Sequence, residues 1–526
     1  MPTISLAGAG VIGVNKDLPY HYLPPEAWTE AKNVDFYDGV ARRSLGWDST
    51  FGTPGAAPSF LLPFDNADSP WWLYASAVGS GSKVYAYDGN THTDISKSGD
   101  YDVDDGEDWN GTVFQGVPVI NPVSDDPQYW SEASAGTDLD DLPNWPSDFR
   151  CRVIRSYKNF LIALRTIESD SELPYRLRWS DAAVPGSVPG SWDVTDATTD
   201  AGEVDINDAQ GGRIQEGGEL GEVFAVYTKE GTHILRFVGG SFVMANEVVS
   251  RASGIMSARM MANASLQGGE FHIIWNGTDL VTFDGNEIKS VVNRSLRRFL
   301  VNDIDSSNFQ KGYAFVDDVR KLFYLVYPES GSDSVTKALV WNFRDNTFSF
   351  REWNANHAAY GSVAAGGGDL WSGASEDWGD YVGGWQGDVQ RNQVILANSA
   401  DDSFYRFYSG DTLGGSNIDA YVERTGLAVI GQKRDGEPIV DIESRKLAKR
   451  IWPRVRGGKV NVRIGAQERI DGSIDWQSPQ TFDPDVDQYL DFTANGRLIA
   501  VRFESQTQER WILDGYDIEI EKLGAH

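Results

Sequence analysis

Histidine, a residue that often acts in catalysis, is scarce in this chain, and the spacing of the histidines matches none of the common catalytic motifs. Its histidines are His21, His92, His233, His272, His357 and His526. No two of them lie four residues apart on a predicted helix, and neither an HExxH nor a GxSxG motif occurs, so the signatures of zinc proteases and α/β-hydrolases are missing. A Ser-His-Asp triad stays open, because its members can be distant in sequence. His233 and His272 fall within predicted strands, where we expect structural roles.

The acidic stretch DYDVDDGED at 100–108 begins like a calcium-binding loop, with aspartates at alternate positions. The pattern then fails, because Gly106 comes one position late and position twelve is Gly111 instead of a bidentate Glu. We therefore expect a solvated acidic loop, with weak cation binding as the alternative, and no metal site or other cofactor.

Acidic and aromatic residues are too common here to indicate a glycosidase. With 77 acids in the chain, paired carboxylates of the kind that hydrolyse glycosides carry little information. Most of the 18 Trp residues alternate with apolar strand positions, which favours core packing over stacking on sugars. Those near predicted loops are Trp71, Trp72, Trp109, Trp130 and Trp145. Because aromatic side chains are enriched at interfaces, Trp71 and Trp72 are candidates for a subunit interface.

A basic run, SRKLAKRIWPRVR at 444–456, stands out in an otherwise acidic chain. Contact with nucleic acid is one interpretation, and a solvated or subunit-facing rim is the other. Within an assembly, a basic patch on one subunit can pair with acidic loops of its neighbour. The residues that we expect at such a subunit interface are Arg445, Lys446, Lys449 and Arg450.

The net charge of −31 is unevenly distributed, since the first 150 residues carry 7 Lys and Arg against 23 Asp and Glu. Such a chain will not wrap nucleic acid by neutralising phosphates. One explanation of the negative charge is solubility alone. The more specific explanation is a surface that lets DNA pass without binding it. The candidates for lining such a channel are Asp100, Asp102, Asp104, Asp105, Asp108, Asp138, Asp140 and Asp141.

Cys151 is the single cysteine, which excludes a disulfide within the chain and a zinc site built on several thiolates. This composition fits folding in a reducing cytoplasm. The first residues lack the basic start and long apolar core of a signal peptide, so we expect none. We also expect no membrane span, because no run of about 18 apolar residues occurs.

Alternating apolar residues and tight-turn signals predict a chain of β-hairpins. FHIIWNGTDLVTFDGNEI at 271–288 carries Asn-Gly and Asp-Gly turns, and LVWNFRDNTFSFREW at 339–353 repeats the alternation. One helix is predicted over 289–305, where apolar residues recur at roughly helical spacing. Further hairpins are predicted at 149–166, 222–239 and 311–329.

The hairpins recur about every 40–50 residues without a clean repeat, which predicts an all-β fold in the form of an irregular β-propeller with four or five blades. A single sandwich or barrel is the competing all-β interpretation. Residues 1–60 are predicted as an extended segment that enters the propeller, and 61–415 as the propeller-like body. Residues 416–526 are predicted as a separate C-terminal β-sandwich, because their strands are longer and their charge is more balanced.

Three parts of the chain resemble the tail-nozzle proteins of short-tailed bacteriophages, also called packaged-DNA stabilisation or tail accessory proteins. GVNKDLPYHYLPPEAWTEAKNVDFYDGVARR at 13–43 is similar to the opening of those proteins. SGIMSARMMANASLQGGEFHIIWNGTDLVTFDG at 253–285 is similar to one of their blades, and segments within 451–524 look like their C-terminal β domain. These are patterns of strands and turns, not of catalytic residues.

The resemblance implies a structural, non-enzymatic virion protein that is made in the host cytoplasm and sits in the tail. It implies a ring, as a homohexamer, that retains packaged double-stranded DNA and conducts it during ejection. An adaptor or head-tail connector protein would lie above the ring, and tail fibres or spikes would dock outside. The alternatives are another tail hub or fibre-attachment protein, and a glycan-binding or glycan-cleaving β-propeller.

Overall fold

The computed structural model describes residues 3–66, 69–103, 109–131, 136–206, 212–292, 295–363, 391–433, 438–470 and 472–524. Within these ranges the chain is almost entirely β-structure. The described helix is α1 (Arg297–Asp303), and 3-10 turns lie at Tyr20–Tyr22, Gly240–Phe242 and Phe309–Lys311. The helix expected over 289–305 is thus confined to α1, because the start of that segment extends a β-hairpin instead.

The first strands of the chain are β1 (Thr3–Ala7), β2 (Glu30–Lys32), β3 (Val34–Tyr37), β4 (Val40–Arg43) and β5 (Trp47–Thr50). They do not form a sheet of their own. Strands β1, β2 and β4 pair with strands from the C-terminal part of the chain, β3 pairs with β4, and β5 pairs with a strand that follows residue 400. Residues 1–60 are therefore shared between both domains, where the sequence predicted a segment leading into the propeller.

The body folds into successive four-stranded antiparallel sheets, which we call blades 1 to 7. Blade 1 contains β6 (Pro58–Asn66), β7 (Ser69–Ser76), β9 (Val84–Tyr87) and β10 (His92–Asp94), and beside it β8 (Gly79–Ser82) pairs with β11 (Tyr101–Val103). Blade 2 contains β12 (Asn110–Phe114), β13 (Val117–Asn121), β14 (Gln128–Tyr129) and β15 (Asp140–Asp141). Blade 3 contains β16 (Phe149–Tyr157), β17 (Phe160–Glu168), β19 (Arg176–Trp179) and β20 (Gly202–Asp205), with β18 (Ser171–Glu172) paired to β17.

The next three blades are the most regular. Blade 4 contains β21 (Ile214–Leu220), β22 (Val223–Thr228), β23 (Thr232–Phe237) and β24 (Met244–Ser250). Blade 5 contains β25 (Met261–Leu266), β26 (Gly269–Trp275), β27 (Leu280–Phe283) and β28 (Ile288–Ser290). Blade 6 contains β29 (Tyr313–Asp317), β30 (Leu322–Tyr327), β31 (Lys337–Asn342) and β32 (Thr347–Glu352).

Blade 7 is completed by the N-terminal part of the chain. It contains β33 (His357–Val363), β34 (Arg391–Asn398), β35 (Ser403–Phe407) and β5, followed by the short strands β36 (Thr412–Leu413) and β37 (Ser416–Asn417). Strand β5 pairs antiparallel with β35, from Trp47 opposite Phe407 to Thr50 opposite Phe404. Trp47 lies buried against Trp353, with ring centroids 5.4 Å apart. The ring of blades closes where β6 of blade 1 packs against β33 of blade 7. Strand β5 links these two blades covalently, because it completes blade 7 and the chain then continues into β6.

The predicted β-propeller is therefore confirmed, but the described part of the chain forms seven blades instead of four or five. The first strand of each blade is innermost and packs against a strand of the next blade around the ring. The spacing of the hairpins predicted too few blades, because some blades are shorter than the expected 40–50 residues, as blade 5 within 261–290 shows. The recruited strand β5 also cannot be recognised from local spacing.

The predicted C-terminal β-sandwich is also confirmed. Its own strands are β38 (Ala420–Leu427), β39 (Val429–Gln432), β40 (Pro438–Val440), β41 (Lys446–Gly457), β42 (Val460–Gln467), β43 (Asp475–Trp476), β44 (Gln480–Phe482), β45 (Leu490–Gly496), β46 (Leu498–Ser505) and β47 (Trp511–Lys522). One sheet runs β3-β4-β47-β41-β45 with β1 on β47, and the other runs β2-β38-β46-β42-β43 with β44 on β42. Alternate residues of both sheets, such as Ile518 and Val501, fill a shared core.

Asn33 joins the sandwich to the propeller. It lies between β2 and β3, is fully buried, and adopts a left-handed conformation with φ 53°. Its backbone N–H donates to the carbonyl of Phe350 at 2.8 Å, and its side-chain oxygen accepts from the N–H of Glu352 at 3.0 Å. Its side-chain nitrogen donates to the carbonyl of Asp419 at 2.9 Å. One asparagine thus binds the outer strand of blade 6 and the entry to the sandwich.

Replacing Gly285 by Val should lower the free energy of unfolding by about 1–2 kcal/mol, because the turn between β27 and β28 holds this residue at φ 90°, where a side chain is strained. Gly190→Val is the matched control, since an added Cβ there meets no atom within 4 Å and its φ is ordinary. Urea denaturation measures both variants. Equal stability of the two would contradict the turn assignment.

His272 should make stability depend on pH. It joins blade 5 to blade 4, accepting from the Tyr227 hydroxyl at 2.7 Å and donating to the carbonyl of Glu219 at 3.0 Å. Burial lowers the pKa of His272 to about 4. Between pH 6.5 and 4, the unfolded chain therefore binds a proton at this residue and the folded chain does not. Stability should fall as pH drops from 6.5 towards 4, and His272→Gln should flatten this fall. Melting temperatures across that range that fall identically in both proteins would contradict the assignment.

Candidate functional site

A large cavity of about 1510 Å³ lies where the first strands of the blades converge, and we call it the axial cavity. All seven blades contribute to its wall through their innermost strands. One lining residue from each blade in turn is Phe60, Asn110, Arg152, Glu216, Met261, Tyr313 and His357. Central cavities of this kind are the default candidates for binding sites, so its chemistry decides what the propeller can do.

The axial cavity has the opposite charge to the rest of the chain. Its cationic lining residues are Arg152, Arg155, Arg165, Arg213, Lys229 and Arg259, and its acidic ones are Glu172 and Glu216. The described lining therefore carries a net charge of about +4, inside a protein of net charge −31. Low-dielectric walls around like charges focus their field into the cavity.

The first acid of the cavity, Glu216 on β21, is bound by Arg155 on β16. The Arg155 guanidinium donates to the Glu216 carboxylate at 2.7 Å and to the carbonyl of Gly111 at 3.1 Å, so it connects blades 2, 3 and 4. The Glu216 side chain is 3% exposed, and the backbone N–H of Gly217 donates to its other oxygen at 2.9 Å. Burial raises the pKa of Glu216, and the charge of Arg155 opposes that rise.

The second acid, Glu172, is shared by two arginines that face each other across a hairpin. Strands β16 and β17 pair in one register on both sides of Arg152 and Arg165, which places these two residues opposite each other. Like charges in that position repel. Arg165 adopts a left-handed conformation with φ 54° and ion-pairs with Glu172, while Arg152 approaches the same carboxylate at 3.5 Å. Burial would raise the pKa of Glu172, but its hydrogen bond to Arg165 lowers it.

The opposite wall combines a cation with aromatic rings. Arg259 donates to the carbonyl of Asn356 at 2.7 Å and stands 5.3 Å from the ring centroid of Tyr313. His357 stacks on the same tyrosine at 6.0 Å. Burial, followed by the charge of Arg259, holds the pKa of His357 well below its usual value, so its imidazole is neutral at physiological pH.

The acidic residues predicted as channel-lining candidates meet on one surface. Asp102 on β11 and Asp140 on β15 are exposed, and two hydrogen bonds connect the segments around blades 1 and 2 that carry these aspartates. The Leu139 N–H donates to the carbonyl of Ile95 at 2.8 Å, and the Ser124 hydroxyl donates to that of Asp102 at 2.7 Å. We call this surface the acidic rim, and its members are Asp94, Asp100, Asp102, Asp125, Asp126, Asp140 and Asp141. Asp138 is exposed two residues before Asp140 and is counted with the rim. Asp104, Asp105 and Asp108 lie outside the described residues.

The two tryptophans proposed for a subunit interface occupy different environments. Trp72 is 2% exposed and donates its indole N–H to the carbonyl of Ser362 at 2.8 Å, so it seals blade 1 against blade 7. It therefore cannot present a surface to a partner. Trp71 is half-buried and packs edge-to-face on Trp130 at 5.3 Å, beneath the acidic rim.

The basic run at 444–456 is largely neutralised within its own sheet. Strand β41 pairs along its length with β47, whose acids lie on the same face as the cations of β41. Lys446 is fully buried, donates to the carbonyl of Ser444 at 3.0 Å, and has a pKa lowered by burial to about 8. The remaining pairs are Arg445–Glu468, Lys449–Glu521, Arg450–Asp491, Arg454–Asp517 and Arg456–Asp514. Lys446 cannot face a neighbouring subunit, and the other three interface candidates already have partners within the chain.

The axial cations were missed by the sequence analysis, although a signal was present. The segment 149–166 contains five basic residues and no acid in a strongly acidic chain. The sequence predicted only a hairpin there. Since that hairpin is the inner edge of blade 3, Arg152, Arg155 and Arg165 line the cavity.

Comparisons with known proteins identify no family. No protein-family model matches the chain, and no curated protein matches it. Among solved structures, apo AztD from Citrobacter koseri is similar over 61% of this chain and 79% of its own, at 14% identity and a TM-score of 0.33. An exo-beta-1,3-galactanase from Phanerochaete chrysosporium with galactose is similar over 91% of this chain and all of its own, at 9% identity and a TM-score of 0.23. Such scores carry no argument about function.

In the described part of the chain, no group of three or more His, Cys, Asp or Glu residues is arranged to hold a metal ion. No helix in the same ranges is both long and apolar enough to cross a membrane.

Replacing Arg155 by Met should lower the free energy of unfolding by about 3 kcal/mol at neutral pH, because it leaves Glu216 buried without its cation. Part of this loss should return at lower pH, as Glu216 becomes protonated. Arg165→Met is the control, with a loss of about 1 kcal/mol or less, because Glu172 is one-third exposed and keeps Arg152. Equal losses in the two variants, measured by denaturation, would contradict this account of the cavity.

Proposed function

We propose that this protein is a structural subunit of a short-tailed phage tail, the nozzle, which retains packaged DNA and conducts it during ejection. The observation that carries the proposal is the acidic rim. Two aspartate clusters separated by about 30 residues in sequence lie on one surface, with Lys83 and Lys97 as cations paired to its edge. Such a surface binds no phosphates and releases no counterions on DNA contact. DNA therefore slides past it without being held.

The chemistry of the axial cavity supports a non-enzymatic role. Glycoside hydrolysis needs two carboxylates that are free to act as acid and as base or nucleophile. The carboxylates among the described lining residues are Glu172 and Glu216, and arginines bind both of them. Neither is available to protonate a leaving group or activate water without losing its partner. This observation favours the nozzle over a glycan-cleaving propeller.

The architecture suits a part that must stay rigid under load. Radial repetition of blades leaves mostly short strand edges, and β5 completes blade 7 before the chain enters blade 1. Residues 13–43, which carry the resemblance to nozzle proteins, form the junction between the propeller and the sandwich. The homohexameric ring, the adaptor above it and the fibres outside it belong to the same proposal, and so does location in the virion tail.

Electron microscopy of the purified and the particle-bound protein tests the assembly. The proposal expects a six-fold ring with an open axial channel and with the acidic rim facing that channel. A trimer would point to a hub or fibre-attachment protein instead. A stable monomer in the particle would also contradict the proposal.

Reversing the charge of the acidic rim should slow genome release. The variant Asp138→Lys/Asp140→Lys/Asp141→Lys places cations where DNA passes, and each new phosphate contact holds the genome back in a salt-dependent way. Release followed by dye fluorescence should be roughly tenfold slower at low salt, with assembly unchanged. The control Glu443→Lys/Asp475→Lys/Asp485→Lys makes the same charge change on exposed residues of the sandwich. Equal release rates in both variants would contradict a rim that lines the channel.

A further inference from the structure

We propose that the outer edge of blade 4 binds an extended segment of a partner protein by strand addition, and that this segment carries apolar side chains together with Lys or Arg. We call the surface the blade 4 edge, and it consists of strand β24 with Phe237, Val238 and Phe242. The inference is independent of the proposed nozzle function, because it depends on the edge of one blade and not on how copies of the chain assemble.

Strand β24 differs from the outer strands of the other described blades. Radial repetition usually leaves short outer edges, and β10, β15, β20 and β28 have two to four residues each. Strand β32 of blade 6 has six residues but packs against β2 and β3, and the edge of blade 7 continues into β36 and β37. Strand β24 has seven residues and is the last strand of its sheet. A long uncovered edge is a template for pairing with another chain.

The backbone of β24 points outward at alternate residues. The Val238 N–H donates to the carbonyl of Val243 at 2.8 Å, and the pairing of β23 with β24 keeps one register from there to Val248. Hydrogen-bonded and non-hydrogen-bonded pairs alternate along an antiparallel ladder. The N–H and C=O groups of Met244, Asn246 and Val248 therefore point away from β23, where an added strand can pair with them.

An exposed apolar loop borders this strand. Phe237 is 45% exposed, Val238 55% and Phe242 81%. The turn that carries Phe242 holds Gly239 at φ 69° and Val243 at φ 47°, and a β-branched residue adopts such a conformation only under strain. Strain of this kind is concentrated at sites that bind or clamp a ligand. The turn thus holds Phe242 outward at a conformational cost, and exposed apolar side chains grouped in this way are typical of protein interfaces.

The charges around the blade 4 edge indicate which kind of strand it accepts. The side chains of Glu222 and Glu247 are 88% and 67% exposed, and their cations are Lys158 at 2.6 Å and Arg236 at 3.7 Å. The third acid, Glu219, accepts from the backbone N–H of Lys158 at 3.4 Å. Three acids therefore share two cations, in a chain of net charge −31. A Lys or Arg opposite Glu247 would form a cross-strand ion pair, so a basic segment is favoured over an acidic one.

Fluorescence anisotropy with the full chain tests the proposal with three labelled peptides. The probe is the strand-forming peptide KTKVTVKF, and its analogues are ETEVTVEF and a KTKVTVKF in which alternate backbone nitrogens are methylated. The probe should bind saturably with a Kd below about 1 mM, and both analogues should bind at least about tenfold more weakly. The methylated analogue has the charge of the probe, so it separates strand pairing from non-specific attraction. No saturable binding of the probe, or equal binding of either analogue, would overturn the proposal.

Two variants locate the binding surface. Asn246→Pro removes an outward N–H and no bond within blade 4, and proline is tolerated at such edge positions. Val238→Ser/Phe242→Ser removes the apolar part of the surface. Each should keep its melting temperature and lose at least about tenfold in affinity for KTKVTVKF. The matched control Val319→Ser/Val486→Ser removes apolar side chains that are 63% and 76% exposed elsewhere, and its affinity should stay within about twofold.

The remaining outcomes identify other occupants of the blade 4 edge. Unchanged affinity in Val238→Ser/Phe242→Ser, or equal weakening in the control, would place peptide binding elsewhere. An oligomer in sedimentation experiments that needs Val238 and Phe242, without binding of KTKVTVKF, would make a second copy of the chain the occupant. Binding to lipid vesicles that needs Phe242, again without peptide binding, would make a membrane the occupant. Each of these results would overturn the proposal.

Discussion

The hydrogen bonds of Asn33 fix the relation between the two domains, and the rest of the structure depends on that connection. This asparagine holds the outer strand of blade 6 and the entry to the sandwich at once. Directly before and after it, the same short segment supplies β2 and β3 to the two sheets of the sandwich and then β5 to blade 7. The side chains of Asn342 and Thr347 donate to the Phe36 carbonyl at 3.0 and 3.2 Å and extend the contact. The propeller and the sandwich therefore share one N-terminal segment and form one body.

Negative and positive charges occupy different parts of the protein. Acidic residues dominate the outer surface and concentrate on the rim of blades 1 and 2, whereas arginines from blade 3 and its neighbours line the axis. The sandwich is balanced because the cations of β41 pair with acids of β45 and β47. Each region thus has a different charge: the rim is acidic, the described lining of the axial cavity is cationic, and the charges of the outer sheet of the sandwich are largely paired within the chain.

Local patterns in the sequence predicted the hairpins well, because alternation and turn residues act over short distances. The turns at Gly277 and Gly285 have the positive φ that the Asn-Gly and Asp-Gly pairs predicted, and the hairpin over 149–166 is β16–β17. Long-range pairing was not predictable in the same way. Strand β5 meets β35 more than 350 residues later in the chain, and Lys446 is buried because β41 is enclosed by distant strands. The cationic cavity was missed because its arginines come from several blades, and only ring closure brings them together.

Hydrogen–deuterium exchange of the peptide that contains β5 tests most directly whether the N-terminal segment locks the propeller. Exchange reports local opening of backbone hydrogen bonds. If β5 completes blade 7 as described, its hydrogen-bonded amides should exchange as slowly as those of β34 and β35. Exchange of β5 within seconds, while β34 and β35 stay protected, would show that β5 does not complete the blade and contradict this account.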